Sequence, residues 1–138
     1  MNQKISVIGA GIMGTGIAQV ASTYGFSVSL VDSSQEALES SRSRLNLVMN
    51  RMVEKGKIDI EESDAILSKV HWTSEIGSIY DSKLVIEAVI ENMEVKQKIF
   101  SEVESLVSNN CIIATNTSSL SVAKITSSCS NTSRVMGI

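Results

Sequence analysis

Residues 4–32, KISVIGAGIMGTGIAQVASTYGFSVSLVD, decide the fold. Lys4 to Ile8 is a short apolar run of strand length that ends on glycine. Gly9, Gly11 and Gly14 follow in the spacing G-x-G-x-x-G, and Ile12 to Tyr24 reads as a helix. Phe26 to Val31 is a second buried strand, closed by Asp32. In this arrangement Gly9 permits the tight turn, Gly11 lets backbone approach a pyrophosphate, and Gly14 lets helix and strand pack closely. The helix N-terminus adds N–H donors and a positive dipole for the phosphates.

A glycine loop alone is weak evidence for a dinucleotide. Here it follows a strand, opens a helix, and is joined by an acid about 20 residues on, which is the full context the motif needs. The carboxylate of Asp32 can accept hydrogen bonds from both hydroxyls of an adenosine ribose and would repel a 2′-phosphate. NAD is therefore expected rather than NADP. The plainer alternative is a glycine turn beside a helix-capping aspartate. The fold serves many chemistries, so the motif does not identify a reaction.

Outward from this unit, strands and helices keep alternating. Ser33 or Ser34 can cap a long amphipathic helix carrying Ala37, Leu38, Leu45, Val48, Met49, Met52 and Val53, which Gly56 stops or bends. A shorter helix is expected over Ile60–Leu67, strands over Val70–Thr73 and Leu84–Val89, and a helix over Met93–Val107. Cys111–Thr115 reads as a strand, Leu120–Thr126 as a short helix, and Arg134–Ile138 as the start of a last strand. The fold class expected is α/β, a Rossmann-type doubly wound parallel sheet with right-handed crossovers. Residues 34–69 are far more than a minimal connection requires, so an inserted helical hairpin should project from the sheet there.

The 138 residues suit one domain, with residues 1–138 as its span. Hydrophobic residues are 43% and aromatics 4%, so the core must be aliphatic. A net charge of −3 offers no basic footprint for nucleic acid or an anionic membrane, and no apolar run approaches a membrane span. The N-terminus runs straight into a strand without a signal or transit peptide, and a cytoplasmic location is expected. Cys111 and Cys129 form no metal or redox motif and read as buried free thiols; no metal is expected. His71 is expected to be a partly buried structural residue. Trp72 has no second aromatic nearby to form a stacking platform.

Four segments together resemble the NAD-binding domain of the short-chain L-3-hydroxyacyl-CoA dehydrogenases. They are VIGAGIMGTGIAQV (7–20), RMVEKGKI (51–58), LVIEAVIENMEVK (84–96) and ATNTSSLSV (114–122), in the family's order and spacing. The resemblance implies reversible oxidation of an L-3-hydroxyacyl-CoA to a 3-ketoacyl-CoA, with hydride passing to NAD. It assigns the loop Gly9, Ala10, Gly11, Ile12, Met13 and Gly14, with Asp32, to the adenosine half of the cofactor. It puts Glu91 and Lys96 near the nicotinamide ribose, Ser118 on the substrate's 3-oxygen with Asn116 in the same block, and Arg51 and Lys55 on the phosphates of coenzyme A.

On the residues alone each of these has a plainer reading. Glu91 and Lys96 could be a helix-start acid and a solvated lysine. N-T-S-S is an ordinary helix-capping turn, with Ser119 the better cap. Arg51 and Lys55 are i, i+4 neighbours on an exposed basic face, with Lys57 just past the turn. The resemblance further implies that the family's catalytic histidine would be the residue after Ile138. The helical C-terminal domain, which builds the homodimer and completes the acyl pocket, is likewise absent from this chain, and the 138 residues alone are expected to be inactive. Two other functions fit the same motifs. One is an L-gulonate 3-dehydrogenase-like enzyme acting on a sugar acid, against which Arg51, Lys55 and Lys57 speak. The other is a non-catalytic NAD-responsive binding module, against which Glu91, Lys96 and Ser118 speak.

Overall fold

The computed structural model describes residues 3–89, 92–115 and 135–137. Six strands are assigned: β1 (Lys4–Ile8), β2 (Ser27–Val31), β3 (Val70–Thr73), β4 (Leu84–Glu87), β5 (Ile112–Thr115) and β6 (Val135–Gly137). They form one sheet in the order β3-β2-β1-β4-β5-β6, and every pairing is parallel. Strand order reverses between β1 and β4, which is where a doubly wound sheet opens a crevice at the strands' C-terminal ends.

Alternation of side chains along each strand splits the core into two layers. Val7, Val28, Leu30 and Val70 face one way and pack with α1 (Ile12–Thr23), α2 (Gln35–Glu54) and α3 (Ile60–Ser68). Ile8, Val31, Val85 and Ile113 face the other way, against Phe100 and Val103 of α4 (Met93–Leu106) and Ile79 of a 3-10 turn, Ile76–Ile79. That turn carries the crossover from β3 to β4 and was not expected from the sequence. The expected helix at 120–126 lies outside the described residues.

Helices α2, α3 and α4 begin where capping side chains allow. Ser34 accepts from the backbone N–H of Ala37, Asp59 from Glu62 and Asn92 from Val95, each satisfying an orphan donor of the first turn. Helix α2 is 20 residues long, about 30 Å. Gly56, at φ +72°, turns the chain back into α3. This hairpin does not project from the sheet as expected. Leu38, Leu45 and Met49 of α2 and Ile66 of α3 are buried in the same layer as Val7 and Leu30, so the apolar stripe is consumed by the core. Its connecting turn and the basic residues there stay exposed.

A buried hydroxyl network ties this layer together. Thr15 and Ser41 share a hydrogen bond of 2.7 Å, and Trp72 Nε1 donates to Ser41 Oγ at 3.0 Å. Thr15 also donates to the carbonyl of Gly11 at 2.7 Å, so α1, α2 and β3 are bonded to the glycine loop. The Arg42 guanidinium lies 5.4 Å over the Trp72 ring, within cation–π range. His71 is exposed on the edge strand β3, opposite Ser29. It is not partly buried as expected, because the edge position leaves one side of the strand without a neighbour.

Candidate functional site

The glycine loop is built by two close approaches of backbone. Gly9 has φ +110°, and a Cβ there would stand 2.6 Å from the carbonyl oxygen of Ala88 just beyond β4. Gly14 faces Gly9 even more tightly, so the first turn of α1 sits directly on the end of β1. Gly11 is the opposite case: a Cβ there would meet nothing within 4 Å. Two glycines are required by the protein's own packing, and the third faces open space.

Gly11 is also the N-cap of α1, with no side-chain cap and no acid in the first turn. The N–H groups and dipole of this helix end are therefore left for a ligand, and an anion is the group they favour. Ile12 and Met13, in the same turn, are exposed, while Ala10 is buried.

Asp32 stands beside the loop. Its Oδ2 accepts from the Ala10 N–H at 2.8 Å and its Oδ1 from the Ser34 N–H at 2.9 Å. The Gly9 N–H donates to the Val31 carbonyl at 2.8 Å. The ends of β1 and β2 are thus clasped together, and the carboxylate is held at the crevice with part of its acceptor capacity spare. A pocket of about 440 Å³ opens next to it, lined by Ile8 and Val31 from the strands and by Ile76, Val89, Val95 and Ile99. Its aliphatic walls share the lining with Asp32, Ser33, Ser74, Lys98 and Glu102, and apolar walls with a few polar groups suit a flat base attached to a ribose.

These six apolar lining residues were not singled out from sequence. Val95, which falls in the apolar spacing of α4, is 40% exposed and lines the pocket instead of joining the buried core. The residues fit a dinucleotide on three counts: an open Gly11, an uncapped helix end and an acid beside an apolar pocket.

On the other side of the crevice the strand ends carry a buried ion pair. Lys96 Nζ lies 3.0 and 2.9 Å from Oε1 and Oε2 of Glu87, and each side chain is 1% exposed. Oε2 also accepts from the Val89 N–H at 2.7 Å, and Oε1 from the Thr115 hydroxyl at 2.5 Å. Lys96 therefore has a partner, Glu87, to which the sequence reading did not point. Glu91, Asn116 and Ser118 lie outside the described residues.

Arg51 and Lys55 sit at the last turn and C-cap of α2, with Lys57 past the turn, and all three are exposed. They are far along the hairpin from Asp32, and the basic face they form has no neighbouring acid bonded to it among the ion pairs of the described residues. Cys111 is buried; Cys129 lies outside the described residues. Among the described residues no group of His, Cys, Asp and Glu is arranged to hold a metal ion. Among them, too, no helix is long and apolar enough to cross a membrane.

A family model described as the NAD binding domain of 3-hydroxyacyl-CoA dehydrogenase matches residues 4–138. The chain is 34% identical over 137 residues to a 3-hydroxybutyryl-CoA dehydrogenase of Mycobacterium tuberculosis, covering 99% of this chain and 48% of that protein. Among solved structures, it is similar to 3-hydroxybutyryl-CoA dehydrogenase of Escherichia coli with a TM-score of 0.94 and 35% identity. That match covers 99% of this chain and 29% of the other. It is similar to (S)-3-hydroxybutyryl-CoA dehydrogenase of Ralstonia eutropha with a TM-score of 0.93 and 31% identity, covering 99% and 48%. The chain spans about half the length, or less, of these relatives.

Proposed function

The chain belongs to the 3-hydroxyacyl-CoA dehydrogenase family through its NAD-binding domain, and from that premise we propose that residues 1–138 hold the cofactor for the reversible oxidation of an L-3-hydroxyacyl-CoA to the 3-ketoacyl-CoA. In that reaction C3 gives up a hydride while a base takes the hydroxyl proton. Bound NAD supplies the hydride acceptor. The protein's own part is to bind and orient.

The adenosine ribose lies against Asp32 in this reading, the adenine enters the pocket walled by Val89, Val95 and Ile99, and the pyrophosphate meets the open end of α1 at Gly11, with Gly9, Ala10, Ile12, Met13 and Gly14 completing the loop. Glu91 serves the nicotinamide ribose, and Asn116 and Ser118 serve the reacting 3-oxygen. Arg51 and Lys55 meet the phosphates of the acyl-CoA substrate, where an exposed cationic pair can form charge-assisted hydrogen bonds. A homodimer joined through a C-terminal helical domain and a cytoplasmic location belong to the same proposal.

The observation that carries it is the carboxylate of Asp32, clasped to Ala10 at the mouth of an apolar pocket and next to an uncapped helix N-terminus. Calorimetric titration of the chain with NAD and with NADP tests it. One saturable NAD site is expected, with NADP at least about tenfold weaker because its 2′-phosphate meets the Asp32 charge. Absence of NAD binding, or equal binding of the two, would overturn the reading.

A further inference from the structure

Helix α4 turns two faces to the protein. Lys96, Phe100 and Val103 are buried against the sheet. Val95, Lys98, Ile99 and Glu102, spaced by three and four residues, share a second face, and all four line the pocket beside Asp32. Val95 and Ile99 make this wall apolar. Lys98 and Glu102 set a cation and an acid along it, Lys98 exposed and Glu102 half-buried.

Two opposite charges four residues apart on a helix ordinarily form a solvated pair. These two do not. Among the described residues neither side chain has a hydrogen-bond or ion-pair partner. The cation also precedes the acid, which is the weaker order for such a pair. Both polar heads are therefore unspent at the edge of an aliphatic slot, where a few polar groups fix a ligand's orientation. Because α4 links the parallel strands β4 and β5, it runs back from their C-terminal ends. Val95 thus lies nearer the mouth, and Glu102, about 10 Å further along the helix axis, lies deeper.

We propose that Lys98 and Glu102 read the base of the cofactor and make this site selective for adenine. This rests on the reading that NAD binds with its adenine in this pocket. A base on a ribose held at Asp32 then extends along the α4 wall toward the two charged groups. Adenine offers a donor, its exocyclic amine, beside ring-nitrogen acceptors. Glu102 accepts from the amine and Lys98 donates to a neighbouring ring nitrogen, so an acid and a cation on one wall match one edge of the base. Hypoxanthine carries a carbonyl oxygen where adenine carries the amine, and that oxygen would face the Glu102 carboxylate. A site that hydrogen-bonds an N–H rejects the analogue lacking it, because its own acceptor is left unpaired.

Calorimetric titration of the chain with NAD and with nicotinamide hypoxanthine dinucleotide tests this, since the two differ only in the base. We expect NAD to bind about tenfold more tightly than the hypoxanthine analogue. Glu102→Gln, whose amide can accept or donate, should bind the two within about twofold of each other. Lys98→Met should weaken NAD about threefold by removing the donor to the ring nitrogen. Neither residue belongs to the buried core, so both variants should fold. Equal affinity of the parent for the two dinucleotides, a preference that survives in Glu102→Gln, or unchanged NAD binding by Lys98→Met overturns the proposal. A parent chain that binds neither dinucleotide would instead sink the NAD reading on which it rests.

Discussion

A Cβ placed on Gly14 would stand 1.7 Å from the carbonyl oxygen of Gly9. Helix α1 therefore rests on the end of β1 with no room for a side chain between them. Gly14→Ala gains about 1 kcal/mol of helix propensity. It also drives a methyl into backbone that no rotamer change can move, where overpacking costs about 1–3 kcal/mol or more. The contact is far inside any van der Waals distance, so the second effect wins. Urea denaturation should show Gly14→Ala less stable by about 2 kcal/mol; a midpoint equal to the parent's would refute the packing argument.

Gly11→Ala should separate from it. Nothing lies within 4 Å of its built Cβ, so stability should stay within about 0.5 kcal/mol. The methyl would enter the space assigned to the pyrophosphate. NAD affinity measured by calorimetry should fall about tenfold or more, which is roughly 1.4 kcal/mol. Unchanged NAD binding would remove Gly11 from the site.

Asp32→Asn replaces one acceptor oxygen with an amide. One of the two backbone N–H groups, from Ala10 or Ser34, then faces a donor, and the charge facing the ribose is gone. The expected outcome is NAD binding weakened about tenfold, with NADP weakened less or improved. Parallel titrations with both nucleotides read this, and a preserved preference for NAD would contradict the role given to Asp32.

Ser41→Ala removes the hydroxyl shared by Thr15 and Trp72. The indole N–H then loses its acceptor in a part-buried place, which costs about 1–3 kcal/mol. A lowered urea midpoint with an unchanged slope is the expected result. Because Thr15 also bonds the Gly11 carbonyl, amide exchange in the first turn of α1 should speed up as well.

Arg51→Ala with Lys55→Ala should weaken binding of coenzyme A to the chain by about tenfold at low ionic strength. The difference should shrink as salt is raised, because both side chains are exposed and screened. Calorimetry at two salt concentrations checks this. A loss that ignored salt would point to a lesion of the hairpin fold instead of a lost charge contact.

Much of this fold was legible in the sequence because its requirements are local. The run before Gly9, the spacing of the three glycines and the acid at Asp32 each answer a short-range need: a turn, a helix end, a strand end. Strand β1 and the start of α1 fall at the residues expected, and Ser34 caps α2 as one of two candidates. The hairpin after β2 was legible as helix–turn–helix, but not its seat on the sheet. An apolar stripe announces that it will be buried without saying against what.

The site divides along the same line. Sequence alone determined the dinucleotide loop, its acid and the family resemblance, because those depend on backbone conformation over a few residues and on motif order. Only the tertiary structure decided that Glu87 meets both Lys96 and Thr115, and that Val89, Val95 and Ile99 line a pocket beside Asp32. Those partners come from different strands and helices. A buried charge takes whichever opposite charge the sheet's strand order brings within reach, and spacing along the chain does not encode that choice.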